Sequence, residues 1–150
     1  MLIKNEVMKA LNGYDETLSY EDFDFWVRSS RICKYGFLNE KLTHVRRGLR
    51  SKSSGWYKAG DPQLHSTYLI CRKAVELCKD EDDRNALTHR ASYEYKQSLF
   101  SGNNEEAKLF ESLLIDLGAW SFSHKAMRFI SSIPLPWSWI RKVYHDTFYN

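Results

Sequence analysis

From Leu64 onward, apolar residues recur at intervals of three and four. Leu64, Tyr68, Cys71, Val75 and Cys78 form one stripe, Leu87, Ala91, Tyr95 and Leu99 a second, and Ala107, Phe110, Leu113, Leu114 and Leu117 a third. That spacing places each set on one face of a helix. The punctuation agrees. Asp61-Pro62 offers a cap and a preorganised first turn, and the acidic KDEDD run separates the first helix from a second, about Asp83 to Phe100. Gly102 closes the second, Asn104 with Glu105 and Glu106 opens the third, and Gly118 ends it. Ser121 to Ser132 predicts a fourth helix, and Pro134-Leu135-Pro136 introduces a last amphipathic piece carrying Trp137, Ile140, Tyr144 and Phe148. GNNEEAKLFESLL has the form of a helical repeat hairpin, but no second copy follows at a fixed period, so no repeat array is expected.

Before Gly60 the pattern is mixed. Residues 2 to 11 predict a short helix ending at Asn12-Gly13, where glycine tolerates a left-handed cap, followed by a tight turn through Tyr14-Asp15-Glu16. Ser19 is positioned to cap a helix running to about Lys34, with Glu21 and Asp22 in its first turn and Phe23, Trp26, Val27 and Ser30 on one face. Asp24 and Arg28, four apart, can pair on that helix. YGFLNEKLTHVR alternates through Phe37, Leu42 and Val45 and predicts one or two short strands. A basic loop follows, in which Arg46, Arg47, Arg50, Lys52 and Lys58 stand among Gly and Ser. The expected fold class is α+β, mainly helical.

A chain of 150 residues, 43% hydrophobic and 15% aromatic, can build a packed core, which argues against disorder. Its net charge of +3 does not argue for nucleic acid, and no nucleic-acid partner is expected, although Trp56 and Tyr57 in the basic loop could stack on a base or a sugar. Cys33, Cys71 and Cys78 are odd in number and lack CxxC spacing. They suggest neither a disulfide framework nor a zinc site, and Cys71 and Cys78, two turns apart on one face, read as small core residues in a reducing cytosol. The scattered histidines give no metal-ligand spacing. Charges at Lys4, Glu6 and Lys9 interrupt any signal-peptide core, and no apolar run approaches the ~20 residues of a membrane span. A cytoplasmic location is expected, with peripheral contact at the inner face of the cell membrane as a second possibility raised by the Trp, Arg and Lys of PLPWSWIRKVYHDTFYN.

The stretch SYEDFDFWVR, Ser19 to Arg28, places Glu21, Asp22 and Asp24 within four positions. Acids in a first helical turn interact favourably with the free amides there, which is one explanation. The other is chemistry: Asp22 as a general base beside aromatic walls, with Glu21 and Asp24 near enough to raise its proton affinity.

NGYDETLSYEDFDFWVRSS, Asn12 to Ser30, resembles the acceptor-side segment of the family-2 glycosyltransferases with the GT-A fold, in which a GGFDE-like turn precedes an ED-containing helix with a DLWLR-like continuation. Gly13, Tyr14, Asp15 and Glu16 match the turn; Glu21, Asp22, Asp24, Trp26 and Arg28 match the helix in order. LIKNEVMKAL is similar to the segment leading into that turn. The resemblance implies that Asp22 is the catalytic base, taking the proton of an acceptor hydroxyl as it attacks the anomeric carbon and displaces a nucleoside diphosphate with inversion. Glu21 would assist it, and Asp24, Trp26, Arg28, Arg46, Arg47 and Trp56 would bind substrate. A nucleotide-sugar donor and a glycan or lipid-linked acceptor are the implied partners, and polysaccharide synthesis the implied setting.

The resemblance also implies a divalent cation, Mg or Mn, for the full-length enzyme. Many members carry a histidine in an RxH-like pattern; this chain reads Val45-Arg46-Arg47-Gly48, with glycine at about the histidine's place, and no metal ligand is assigned to it. The donor-binding half of the GT-A domain, with its DxD-like motif after a strand, has no counterpart in the sequence. The implied organisation is therefore the C-terminal part of a GT-A α/β domain over residues 1–58, followed by an α-helical extension over 59–150. Such a chain is a fragment, a truncated product or one piece of a split protein, expected to be inactive alone. The rival expectation is a non-catalytic helical protein-interaction module, in which the acids only start a helix.

Overall fold

The computed structural model describes residues 2–42, 44, 57–135, 137 and 140. Six helices lie among them: α1 Asn5–Ala10, α2 Glu21–Ser29, α3 Pro62–Leu77, α4 Glu81–Ser101, α5 Asn104–Asp116 and α6 Phe122–Ser131. The chain divides into two compact units, Met1–Trp56 and Tyr57–Asn150.

In the first unit, α1 ends in a Schellman arrangement. The Gly13 amide donates to the Met8 carbonyl at 2.9 Å and the Asn12 amide to the Lys9 carbonyl at 3.1 Å. Both Asn12 (φ 55) and Gly13 (φ 74) are left-handed. Asparagine thus takes the position expected of glycine, as its short polar side chain permits. Helix α2 departs from expectation at both ends. Tyr20, not Ser19, occupies the N-cap position, with no side-chain cap bond, while Glu21, Asp22 and Asp24 supply the first-turn charge. The helix stops at Ser29, short of Lys34. Ser29 Oγ bonds back to the Phe25 carbonyl at 2.6 Å and also meets the Tyr35 hydroxyl, offering the backbone an alternative to continued helix.

The strands expected between Tyr35 and Arg46 do not form among the described residues, where residues 33–42 have no ladder. A strand needs a neighbour to pair its backbone groups, and the described residues provide none. Val45, Arg46 and most of the basic loop lie outside the described residues.

The second unit is a helical core built on α4, which packs against α3, α5 and α6. Leu64 and Cys71 of α3, Leu87, Ala91 and Tyr95 of α4, and Ala107, Phe110, Leu113 and Leu114 of α5 are buried together. Tyr68 meets Phe110 edge-on at 5.7 Å. Burying side chains of this size stabilises by about 1.5–3 kcal/mol each, which is why three modest stripes suffice. Burial also pushes the Cys71 thiol up to about 12, so it behaves as a core residue rather than a nucleophile.

The helix ends follow local chemistry. Asp61 accepts from the Gln63 amide at 3.0 Å, and Asp80 from the Asp83 amide at 2.8 Å. The KDEDD run is therefore the cap of α4 as well as its separator, and the helix begins at Glu81. Gly102 and Gly118, at φ 79 and 70, end α4 and α5. The Asn103 amide reaches the Ser98 carbonyl at 2.9 Å and the Ala119 amide the Leu114 carbonyl at 2.8 Å, completing both stops. Buried Asn103 also ties down the approach to α3. Its Oδ1 accepts from the Gly60 amide at 2.6 Å, and its Nδ2 donates to the Lys58 carbonyl at 2.8 Å. Of the last amphipathic piece, Trp137 packs against Phe100 at 5.0 Å, whereas Tyr144 and Phe148 lie outside the described residues.

His124 fixes α6 to the core. Its Nδ1 accepts from the Ser121 amide at 3.1 Å, its Nε2 lies 3.0 Å from Ser92 Oγ, and its ring stacks on Trp120 at 5.1 Å. An Nδ1 that accepts requires the proton on Nε2, so the neutral imidazole is the form that fits. Burial lowers its pKa from the ordinary 6.5. Below that value the unfolded chain takes a proton that the folded chain refuses, so stability falls as pH drops through the window between the two pKa values. The melting temperature is expected to fall as pH drops below the ordinary 6.5. In His124→Asn, which keeps an acceptor but cannot titrate, that slope should flatten; an unchanged slope would remove His124 as its source.

Candidate functional site

The chemistry-bearing residues of the first unit gather where the turn after α1 meets α2. Arg28 makes the junction. Its Nε donates to Asp24 Oδ2 at 2.7 Å, and its two terminal nitrogens donate to the carbonyls of Leu11 at 2.8 Å and Gly13 at 2.9 Å. The planar guanidinium suits this task, since it presents several donors in a fixed fork. Asp24 is fully buried, whereas the Arg28 side chain remains 21% exposed. Tyr14 from the turn lays its ring against Phe25 at 5.1 Å, and Arg28 stands 5.9 Å from the same ring. Within the turn, Asp15 Oδ1 accepts from the Thr17 amide at 3.2 Å and its hydroxyl at 2.5 Å. The NGYDE turn and the ED helix are thus held as one piece.

Asp22 sits in the first turn of α2, half-buried, with Oδ1 accepting from the Phe23 amide at 2.8 Å. Glu21 is exposed, and Trp26 is 39% exposed. Two residues along a helix rotate by about 200°, so Asp22 and Asp24 point to different faces, whereas Asp22 and Trp26, four apart, share one. The three acids therefore do not act as one cluster. Asp24 belongs to the Arg28 clamp, and Asp22 stands on the face with an exposed indole. Arg46, Arg47 and Trp56 lie outside the described residues. Tyr57, considered above as a stacking platform, is half-buried against the second unit's core, its hydroxyl donating toward Glu94 at 3.5 Å.

A cavity of about 980 Å³ lies on another side of α2, lined by Val7, Phe25, Ser29, Ile32, Cys33 and Leu42 among others. None of Glu21, Asp22, Asp24, Trp26 or Arg28 lines it. The divalent cation implied by the resemblance requires several converging oxygen or nitrogen ligands. Among the described residues, no three His, Cys, Asp or Glu side chains form such a group. The described residues do not fit the ion.

One buried polar group has no place in the sequence reading. Glu94 of α4 is fully buried, and Arg90, one turn earlier, bonds its Oε1 at 2.7 Å. Oε2 meets no hydrogen-bond donor among the described residues. Burial raises the Glu94 pKa against the opposing pull of Arg90. A signal was present: Leu87, Ala91, Glu94 and Ser98 follow core spacing, so a carboxylate occupies a position where the stripe demands an apolar residue. The other polar network, Ser92 with His124, has the wrong tautomer for nucleophilic catalysis. Its Nε2 carries the proton and cannot take one from Ser92.

Arg28→Lys is expected to keep one of the three clamp bonds and to lose about 1–3 kcal/mol of local stability. Amide hydrogen exchange should speed up between Leu11 and Arg28 and stay unchanged in α4 and α5. Unchanged exchange in the turn would show that the clamp does not hold it.

No family model, no characterised protein and no solved structure matches this chain, so the case for its function rests on these residues and their geometry.

Proposed function

We propose that this chain is the acceptor-side part of an inverting glycosyltransferase of family 2, with Asp22 as the catalytic base. The observation that carries the reading is the clamp of Arg28 on Leu11 and Gly13. It makes one structural piece of the two motifs on which the resemblance rests, and it leaves Asp22 on an accessible face beside Trp26. In the proposed step, the Asp22 carboxylate takes the proton of an acceptor hydroxyl. The oxygen forms a bond to the anomeric carbon from the side opposite the nucleoside diphosphate, which departs with the bonding electron pair. Trp26 offers an apolar face for a sugar ring, and Glu21 stands beside the base in the same exposed turn.

The segment after α2 supports the same reading. Ile32, Tyr35, Phe37, Leu38 and Leu42 are exposed, Phe37 at 92%. An apolar stretch with no covering layer among the described residues fits a domain whose remaining layers, including the donor-binding half, come from elsewhere. On this proposal the 150 residues alone transfer no sugar.

A second reading has its own observation. Asp22 accepts from the amide of Phe23, a bond that any acid starting a helix could make. The second unit is then the functional part, as a helical interaction module.

The transfer assay separates them. In a chain that includes the donor-binding half, Asp22→Asn is expected to lower sugar transfer by about 10²–10⁴-fold with an unchanged melting temperature. Transfer that survives Asp22→Asn would sink the assignment.

A further inference from the structure

Helix α6 is amphipathic in an unusual sense: apolar residues occupy both its packed and its outward face. His124 and Met127 turn inward to the core of the second unit, and Arg128 pairs with Glu111 of α5. At 100° per residue, Phe122, Ala126 and Phe129 fall on the opposite side, with Ile130 on its flank. Phe122 is 83% and Phe129 73% exposed, and Ile130 is exposed with them. Ile133 and Leu135, just beyond the helix, are exposed as well. A solvent-facing row with two phenylalanines costs free energy unless something covers it.

Charge indicates what covers it. The chain as a whole is nearly balanced, with 22 basic and 19 acidic residues. From Leu117 to His145, however, there is no acid, while Lys125, Arg128, Arg141 and Lys142 are cationic. Exposed Lys125 lies at the edge of the apolar row. Arg128 is answered by Glu111, which leaves exposed Lys125 as the cation beside the apolar row among the described residues. Phenylalanine and isoleucine with a lysine beside them, in a stretch whose own sequence carries no acid, are the chemistry of a helix lying in the headgroup region of an anionic bilayer. A second copy of the chain fits less well. Phe122, Phe129 and Ile130 together expose on the order of 500 Å² at most, short of the ~800 Å² a side that a stable dimer buries. Pairing two such faces would also bring their cations together. A bilayer sets no minimum area and attracts the cations.

We propose that the outward face of α6, through Phe122, Phe129 and Ile130 with Lys125 beside them, docks peripherally on an anionic lipid surface. The proposal does not depend on the transferase reading. It is a contact with one leaflet, and no helix among the described residues is long and apolar enough to cross a membrane.

Co-sedimentation of the full chain with lipid vesicles tests it. The chain should pellet with vesicles of phosphatidylglycerol and phosphatidylcholine in equal parts, and bind phosphatidylcholine alone at least about tenfold more weakly. Phe129→Ser, at an exposed position, should keep the helical circular dichroism and weaken binding about tenfold or more. Ile115→Ser, a change at another exposed apolar position, on α5, should bind as the parent does. No pelleting with the anionic vesicles would overturn the proposal, as would equal binding to both lipids or equal loss in the two variants. So would a light-scattering dimer in the parent that Phe129→Ser dissociates.

Discussion

The fork of Arg28 is the interaction on which the first unit depends. Helix α1 has only six residues and none of them is buried, so it cannot hold its own position by packing. The guanidinium fixes the two carbonyls at its C-terminal turn, and Asp24 fixes the guanidinium. A buried aspartate without that partner would be a strong destabiliser, so the pair has to be kept together. Everything proposed for Asp22 follows from this arrangement. The clamp sets the angle between the turn and the helix, and it uses the acid on one face while leaving the acid on the other face accessible.

The second unit depends on a different balance. Its apolar stripes close a core around Tyr95 and Phe110, and three of its buried polar groups are bonded within it, although Glu94 Oε2 meets no donor among the described residues. Asn103 bonds the loop before α3, His124 bonds the start of α6, and Arg90 faces Glu94. Glu94 shows the strain in that arrangement, since burial works against its charge and Arg90 works for it.

Legibility in the sequence followed the range of the interactions. The stripes of α3, α4 and α5 could be read because helical periodicity is local, and the stops at Gly102 and Gly118 could be read because left-handed backbone favours glycine. The i,i+4 pairing of Asp24 with Arg28 was visible for the same reason. What Arg28 does next was not visible, because its other partners are backbone carbonyls fifteen and seventeen residues away. Ser19 was misread as a cap because the composition rule names a residue type but not the φ/ψ that brings it into place. The strands expected between Tyr35 and Arg46 do not appear among the described residues, because alternation describes what a strand would look like, while forming one needs a partner strand. The outward phenylalanines of α6 were counted only as part of a helix, since periodicity does not say which face finds a neighbour.

The most direct measurement of the central claim is a nitrogen-15 NMR titration of the chain with a panel of cell-envelope oligosaccharides carrying free hydroxyls. The account predicts saturable shifts confined to the amides around Gly13, Tyr14, Glu21, Asp22 and Trp26, with α3 to α5 undisturbed. Shifts that map to α3 to α5 instead, or none with any member of the panel, would contradict it.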